Sequence, residues 1–266
     1  MPSKSSGKTI DKIKKNKDKV IIYIGKEKLS LSYDVFTDFY LFEGKNLNEK
    51  EYLKLKDSVA FDTYFKKALA IRKRNIITEY KLKEKLKEKG CPYHIINSIT
   101  KRMKEHDLIN DEMYALDYKE YGDEMGYGKV KIISKLYELG INKNIIDKLS
   151  FPYKKEYQKA MELLPKLEKK YAKYNSSQQV AHIITSLKRM GYEGDVVYDI
   201  AKEIHIDNKE EDKIKLKKDY EKLYSRLKNK YEGYELKQRL ISTLINKGYR
   251  RKDILEEMDS YGQFDD

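Results

Sequence analysis

The sequence has few of the residues that build disulfide frameworks or membrane spans. It contains a single cysteine, Cys91, in 266 residues, which excludes an internal disulfide and favours a reducing compartment. No run approaches the roughly 18 consecutive apolar residues of a membrane-spanning helix. The first 15 residues also lack the apolar core of a signal peptide. The sequence therefore predicts a cytoplasmic protein that does not enter a membrane.

Proline, glycine and tryptophan are scarce as well, with 4 Pro, 13 Gly and 0 Trp. Long stretches rich in Lys, Glu, Leu, Ile and Tyr lie between them, a composition typical of helices. The 24 Tyr and 7 Phe are enough to build a core, so widespread disorder is not expected. The formal net charge of +13 indicates a polyanionic partner, or a protein that handles one. A generally lysine-rich proteome explains this composition equally well.

The N-terminal part reads as a small β element. Three short segments are rich in β-branched or alternating apolar residues: 9–13, 20–24 and 28–32. We expect an antiparallel sheet of two or three strands, which must pack on the residues that follow because an isolated hairpin is only marginally stable. Ser32 and Asn48 are the predicted N-caps of two short helices, 33–41 and one that begins at Glu49.

From about residue 58 the sequence repeats a helical pattern that ends at a glycine. The four glycines are Gly90, Gly140, Gly191 and Gly248. Four residues before each glycine stand Leu86, Leu136, Leu187 and Leu244. Eight residues before each glycine stand Leu82, Ile132, Ile183 and Leu240. An i, i+4 apolar pair before a glycine predicts a helix that buries one face and stops at a left-handed residue.

A second aliphatic pair follows each glycine, and another helical segment precedes each glycine-ended helix. The pattern therefore predicts an all-α fold, an elongated array of four tandem three-helix repeats preceded by the small N-terminal antiparallel β element. The expected boundaries are an extension over 1–57 and repeats over 58–108, 109–152, 153–207 and 208–266. Each repeat is too small for a stable core of its own, so stacking is required.

The sequence provides no set of residues for catalysis. The four histidines are scattered and have no Cys or carboxylate partners at metal-ligand spacing. Cys91 follows a helix-ending glycine and is expected to be a small buried apolar residue, since no base can be assigned to it. We therefore predict a protein that is not an enzyme and that uses no metal ion or cofactor.

Basic segments interleaved with tyrosines are the candidate binding surfaces. The candidate residues are Arg72, Lys73, Arg74, Lys81, Lys85, Arg250 and Arg251. The interleaved tyrosines are Tyr80, Tyr171, Tyr174, Tyr220, Tyr224, Tyr231 and Tyr249. Tyr combined with Lys and Arg can hold phosphates and stack on bases, and also anchors protein interfaces. The alternative is that the lysines form solvated helix faces and the tyrosines belong to the core.

The segment 108–115, LINDEMYA, is followed by glycine and apolar positions in a characteristic order: Gly126, Gly128, Ile132, Leu136 and Gly140. This stretch resembles the second repeat of the RecX family, the bacterial regulators of the RecA recombinase. Residues 68–90 resemble the first repeat of the family. The resemblance covers residues 60–150, and beyond them only the spacing matches. Lys replaces many of the family's arginines, so specific arginine contacts are not carried over.

The resemblance implies a non-enzymatic modulator that binds the RecA–DNA filament, lies in its helical groove, and inhibits ATP hydrolysis and strand exchange in recombination, DNA repair and the SOS response. An extended array would contact several protomers at once. We expect a monomer with weak binding to single- or double-stranded DNA. The alternative is a stand-alone helical DNA-binding protein, a repressor or a chromosome-associated protein, because three-helix units resemble helix-turn-helix domains and the charge suits DNA.

Overall fold

The computed structural model describes residues 8–206 and 208–261. Within this part of the chain, 13 helices follow a small N-terminal antiparallel sheet, and the protein is 67% helical. The structure therefore confirms the predicted helical class and the predicted N-terminal β element. Among the described residues, no helix is both long and apolar enough to cross a membrane.

The N-terminal strands are short. They are β1 (Lys8–Thr9), β2 (Lys12–Lys15), β3 (Val20–Ile24), β4 (Glu27–Leu31) and β5 (Asn46–Leu47). Strands β2, β3 and β4 form a three-stranded antiparallel sheet in that order, and β1 pairs with β5. The sequence did not predict β5 or the break between β1 and β2. At that break the Ile10 amide donates to the Lys45 carbonyl (3.0 Å), so the chain leaves the sheet to bond the loop before β5.

Both predicted N-caps are confirmed. The Ser32 hydroxyl accepts from the Val35 amide at the start of α1 (Tyr33–Asp38). The Asn48 side chain accepts from the Glu51 amide (2.9 Å), and the Glu51 carboxylate accepts from the Asn48 amide (3.0 Å), which together form a capping box.

The helix that begins there, α2 (Glu49–Arg74), continues for 26 residues. No glycine or proline interrupts it. The second predicted short helix and the leading helix of the first predicted repeat are therefore one element, and the expected boundary at 57/58 falls inside it.

The remaining helices follow α2 in chain order. They are α3 (Glu79–Glu88), α4 (Tyr93–Glu105), α5 (Asp111–Glu124), α6 (Lys129–Glu138), α7 (Lys143–Ile146), α8 (Tyr153–Tyr171), α9 (Ser176–Arg189), α10 (Gly194–Glu203), α11 (Lys209–Leu227), α12 (Gly233–Asn246) and α13 (Arg251–Ser260). We call α2–α4, α5–α7, α8–α10 and α11–α13 the first to fourth triplets. The middle helix of each triplet, α3, α6, α9 or α12, is the one predicted to end at a glycine.

The predicted helix pattern is confirmed at each glycine. The glycines adopt positive φ angles of 78° at Gly90, 77° at Gly140, 91° at Gly191 and 86° at Gly248. All eight apolar residues predicted four and eight positions earlier are 0% exposed. Separate apolar clusters fill the N-terminal element and the first, third and fourth triplets. Each middle helix thus buries one face and stops where the sequence indicates.

The described chain divides into two compact units. The first runs to Asp117 and includes Leu136–Asp147, and the second comprises Tyr118–Lys135 and the residues from Lys148 onward. The division passes through α5 and α6, so it does not coincide with the borders expected between repeats. The count of four equivalent repeats and their boundaries stay predictions.

A recurring contact, which we call the glycine joint, links each later triplet to the preceding one. In each joint, the glycine after a middle helix lies against the start of the preceding middle helix. A Cβ on Gly140 would lie 2.3 Å from the Cβ of Tyr80 in α3, and a Cβ on Gly191 would lie 2.4 Å from the amide nitrogen of Lys131 in α6. A Cβ on Gly248 would lie 2.9 Å from the Oγ of Ser177 in α9. Only glycine permits this approach at the first two joints, because real Cβ atoms do not come so near a neighbouring backbone or Cβ.

Hydrogen bonds reinforce each joint. The Thr78 hydroxyl donates to the Leu139 carbonyl (2.8 Å) at the first joint. The Gly128 amide donates to the Met190 carbonyl (2.8 Å) at the second, and the Asn175 side chain donates to the Lys247 carbonyl (2.8 Å) at the third. The last carbonyls of a helix have no partner inside it, so these bonds satisfy groups that would otherwise need water.

A carboxylate from the next leading helix completes each joint. Asp111 accepts from the Glu79 amide (2.9 Å), Glu156 from the Lys129 amide (2.9 Å) and Asp212 from the Ser176 amide (3.0 Å). Each acid therefore caps the N-terminus of the middle helix in the triplet before it, where the helix dipole favours negative charge.

At the second joint this carboxylate belongs to a buried ionic network. Lys159 is 8% exposed and donates to Asp123 (2.6 Å), to Glu156 (2.6 Å) and to the Tyr127 carbonyl (2.9 Å). Asp123 also accepts from Lys119 (2.8 Å) and Lys155 (2.9 Å). Burial alone would raise the pKa of Asp123, but the three lysines outweigh it and hold that pKa well below its ordinary value.

Replacing a core leucine should destabilise the fold. Leu136 is 0% exposed, so Leu136→Ala should lower the free energy of unfolding by about 2–5 kcal/mol, measured by urea denaturation. Leu116 on α5 is 58% exposed, and Leu116→Ala should change it by less than about 0.5 kcal/mol. Equal effects of the two variants would show that the buried face of α6 is misassigned.

The ionic network should make the free energy of unfolding depend on pH in the acidic range. Because the folded pKa of Asp123 lies below the unfolded value, its contribution is present above about pH 4 and is lost as the pH falls toward the folded pKa. Asp123→Asn should therefore lower the free energy of unfolding by about 3 kcal/mol at pH 7 and by less at pH 3, measured by urea denaturation at both pH values. The control is Asp117→Asn, at an exposed position on the same helix. An equal loss for Asp123→Asn at both pH values would contradict the assignment.

Candidate functional site

A cationic groove lies beside the end of α2 and the second half of α3, within the first unit. It encloses about 470 Å³. Its lining consists of Lys67, Ala70, Ile71, Arg74, Asn75, Lys85, Glu88 and Lys89. We call it the α2–α3 groove.

Helical spacing places these side chains together. On α2, Lys67, Ile71 and Arg74 follow one another at intervals of four and three residues, so they lie on one face. Lys85 lies on α3, and Lys89, the C-cap residue of that helix, follows one turn later. The core-facing sides of the two helices carry other residues, among them Ala68, which is 0% exposed. The groove therefore runs along the flank of a packed helix pair.

The groove combines four cations with one carboxylate. None of Lys67, Arg74, Lys85 and Lys89 forms an ion pair with another described residue. The Lys67 Nζ lies 4.4 Å from the centroid of the Tyr64 ring, and the Tyr64 hydroxyl donates to the Lys89 carbonyl (3.2 Å). A concave wall with a surplus of positive charge concentrates the field and attracts anions. The arrangement is suited to binding a phosphate or carboxylate.

The structure brings together only some of the predicted site residues. Arg74 and Lys85 both line the groove, whereas Lys73 is exposed outside it. The Arg72 Nε donates to the Leu108 carbonyl (2.7 Å), so this side chain secures the start of the next segment. Lys81 pairs with Glu84 at 2.7 Å on its own helix. Arg72 and Lys81 thus have partners inside the protein.

Arg250 and Arg251 belong to the second unit, at the start of α13. Arg250 donates from two nitrogens to the carboxylate of Asp253, at 2.8 and 3.0 Å. Arg251 is exposed on the first turn of the helix. Their role in binding stays a prediction.

Sequence reasoning missed Lys67 and Lys89. Lys67 stands seven residues before Arg74, and Lys89 four residues after Lys85, so a helical-face comparison across the two segments would have found both. What it could not have found is that α2 and α3 lie side by side, because that depends on the packing of the first triplet.

The interleaved tyrosines contribute more to packing than to a surface. Tyr220 is 1% exposed and Tyr249 is 8% exposed. Burial disfavours the phenolate and raises the pKa of Tyr220 to about 12. Tyr171 and Tyr174 pack against the His182 ring, with centroid distances of 5.2 and 4.3 Å. The structure of these four tyrosines therefore fits the alternative that they belong to the core better than it fits a binding surface.

A second lysine-rich depression lies in the second unit, and it differs from the α2–α3 groove because some of its lysines are paired with protein groups. It is lined in part by Lys173, Lys215, Lys218 and Lys247. Lys215 donates to the carbonyls of Ala172 (3.0 Å) and Tyr174 (2.8 Å), and Lys247 pairs with Asp219 (2.7 Å). Two of its cations therefore already bind protein groups, which leaves the α2–α3 groove as the stronger candidate.

Known proteins resemble the chain along nearly its whole length. No family model matches it. The Regulatory protein RecX of Streptococcus sanguinis is 28% identical over 261 residues, 95% of this chain and 99% of that protein. The Regulatory protein RecX of Streptococcus pneumoniae (strain G54) is 27% identical over 239 residues, 88% of this chain and 92% of that protein.

Solved structures share the fold. A crystal structure of regulatory protein RecX superimposes with a TM-score of 0.61 at 24% identity, covering 74% of this chain and 100% of that one. The structure of RecX from Lactobacillus salivarius gives a TM-score of 0.50 at 24% identity, covering 54% of this chain and 96% of that one. The resemblance first seen in residues 60–150 is confirmed: the chain is a relative of the regulatory proteins named RecX.

Proposed function

We propose that this protein is a non-enzymatic regulator of RecA that binds the RecA–DNA filament and inhibits ATP hydrolysis and strand exchange. One observation carries the proposal: the Regulatory protein RecX of Streptococcus sanguinis matches 95% of the chain and 99% of its own length. The match therefore extends over nearly the full length of that relative and is not confined to one shared helical segment.

The α2–α3 groove supports a binding role. Its four unpaired cations suit an anionic partner, either a phosphate of filament DNA or an acidic segment on a protomer. An isolated groove of this size would bind weakly, since exposed ion pairs are worth at most about 1 kcal/mol each. Repeated contacts along a filament would add affinity through multivalency.

The surroundings of two buried groups, the Cys91 thiol and the Lys159 amine, also favour a regulator over an enzyme. Cys91 is buried, and burial raises the pKa of its thiol, so little thiolate forms at neutral pH. All three donor positions of the Lys159 amine are taken by Asp123, Glu156 and the Tyr127 carbonyl. Neither group is available as a nucleophile.

We propose further that the protein acts in the cytoplasm as a monomer and holds DNA weakly. A stand-alone DNA-binding protein is the second candidate, because the net charge of +13 suits nucleic acid. Binding to naked DNA in the absence of RecA distinguishes the two functions. Tight, sequence-selective binding to naked duplex DNA would favour the second, whereas weak and steeply salt-dependent binding fits a filament regulator.

The direct test measures ATP hydrolysis by RecA on single-stranded DNA while this protein is titrated in. Inhibition below a one-to-one ratio to RecA is expected, because one bound regulator would block several protomers. No change in rate at a several-fold molar excess would contradict the proposed function.

Removing the groove's charges should weaken that inhibition. For the triple variant Lys67→Gln, Arg74→Gln, Lys85→Gln, we expect at least a fivefold higher half-inhibitory concentration and an unchanged urea midpoint. Exposed lysines of the second unit provide a control with the same loss of charge: Lys169→Gln, Lys217→Gln and Lys222→Gln. Equal inhibition by both triple variants would show that the groove is not the contact surface.

A further inference from the structure

The N-terminal sheet presents a cationic face that the proposed filament contact does not use. Side chains alternate between the two faces of a strand. Val20, Ile22 and Leu31 point into the N-terminal apolar cluster, where each is at most 2% exposed. The opposite face, which we call the outer face, therefore carries the residues between them in register: Lys12, Lys14, Ile21, Tyr23, Lys28 and Ser30.

An aromatic ring lies at the centre of three lysines on this face. Strand pairing places Lys12 directly opposite Tyr23, and Tyr23 directly opposite Lys28. The Lys14 Nζ lies 5.8 Å from the Tyr23 ring centroid. All three lysines are exposed. Two strand spacings, about 10 Å, separate Lys12 from Lys28, so one extended ligand can reach every cation.

Among the described residues, no acidic side chain forms an ion pair with the lysines of the outer face, and Glu43, at the β2 edge, accepts from the Ile13 amide (2.7 Å). The nearest carboxylates in sequence are those of Asp11 and Glu27, and both are held elsewhere. Asp11 accepts from the Gly25 amide (2.6 Å). Glu27 accepts from the Tyr52 hydroxyl and pairs with Lys56 (3.0 Å) on the core side. Within the described residues, Lys12, Lys14 and Lys28 form no ion pair. Like charges grouped on one face weaken a sheet, so stability does not explain them.

We propose that the outer face binds single-stranded DNA, with the lysines on phosphates and Tyr23 stacked on a base. A ring among cations matches a ligand that combines a charged backbone with planar groups. Duplex DNA keeps its bases stacked and cannot offer one to Tyr23. The choice of DNA over RNA rests on the proposed function.

An acidic peptide fits the sheet less well. A peptide that adds to a sheet pairs with an edge strand. At the β2 edge the Ile13 amide already donates to the Glu43 carboxylate (2.7 Å), so the edge is obstructed there. A peptide lying on the face would use the lysines but would gain nothing specific from the aromatic ring.

The test measures binding of the full chain to a fluorescent oligothymidine by anisotropy, in the absence of RecA. The triple variant Lys12→Gln, Lys14→Gln, Lys28→Gln should bind at least tenfold more weakly at low salt. Its slope of log affinity against log salt should be shallower by about 2, as expected when three phosphate contacts to a single strand are lost. The control with equal charge loss, Lys169→Gln, Lys217→Gln, Lys222→Gln, should change affinity by less than threefold.

Variants of the ring separate stacking from charge. Tyr23→Ala should weaken binding to oligothymidine about tenfold, and Tyr23→Phe, which keeps the ring, by less than twofold. Binding to a duplex of the same length should not change with Tyr23→Ala. Three results would each overturn the proposal. Tyr23→Ala could weaken single-strand and duplex binding equally, the two lysine triple variants could lose equal affinity for oligothymidine, or the wild type could bind oligouridine more tightly than oligothymidine.

Failure of this proposal can be distinguished from failure of the proposed function. If the sheet variants bind oligothymidine as the wild type does while the wild type still inhibits RecA, the outer face is not the DNA site and the regulator proposal stands. If the wild type leaves RecA hydrolysis unchanged but the sheet variants lose oligothymidine binding, the regulator proposal fails and the DNA-binding face stands.

Discussion

The close approach of a helix-ending glycine to the start of another helix is the constraint on which the first two glycine joints depend. The backbone at Gly191 comes so near to Lys131 that any side chain would collide. The same position must also take a positive φ, so one residue type satisfies both requirements. The neighbouring hydrogen bonds and the capping carboxylates then use the helix ends that this approach brings together.

Much of this arrangement could be predicted because it is local. Helix caps such as Ser32 and Asn48, the buried leucines and the left-handed glycines depend on residues within a few positions of each other. The partner of Asp111 could not be predicted in the same way. Its position at the start of α5 would suggest a cap for that helix, but Asn110 caps α5 while Asp111 caps α3, 32 residues earlier in the chain. The α2–α3 groove was missed in part for the same reason, since only packing brings Arg74 beside Lys85.

The distribution of charge connects the fold to the proposed function. The surplus of +13 is not spread evenly. Lys159, Lys215 and Lys247 bind carboxylates or carbonyls inside the second unit, and their charges help to hold it together. The α2–α3 groove and the outer face of the sheet retain cations that have no such partner. Both surfaces belong to the first unit, so mutations within that unit can test the proposed filament contact and the proposed DNA contact separately.

The glycine joint is tested most directly by comparing three glycine-to-alanine variants in urea denaturation. A Cβ at Gly194 or Gly233 meets nothing within 4 Å, and of these two only Gly233 has a positive φ, 51°. We predict that Gly194→Ala leaves the free energy of unfolding nearly unchanged and that Gly233→Ala costs about 1–2 kcal/mol, from backbone strain alone. Gly191→Ala should cost at least about 2 kcal/mol more than Gly233→Ala, because the collision with α6 adds to the strain. Equal costs for Gly191→Ala and Gly233→Ala would contradict the account.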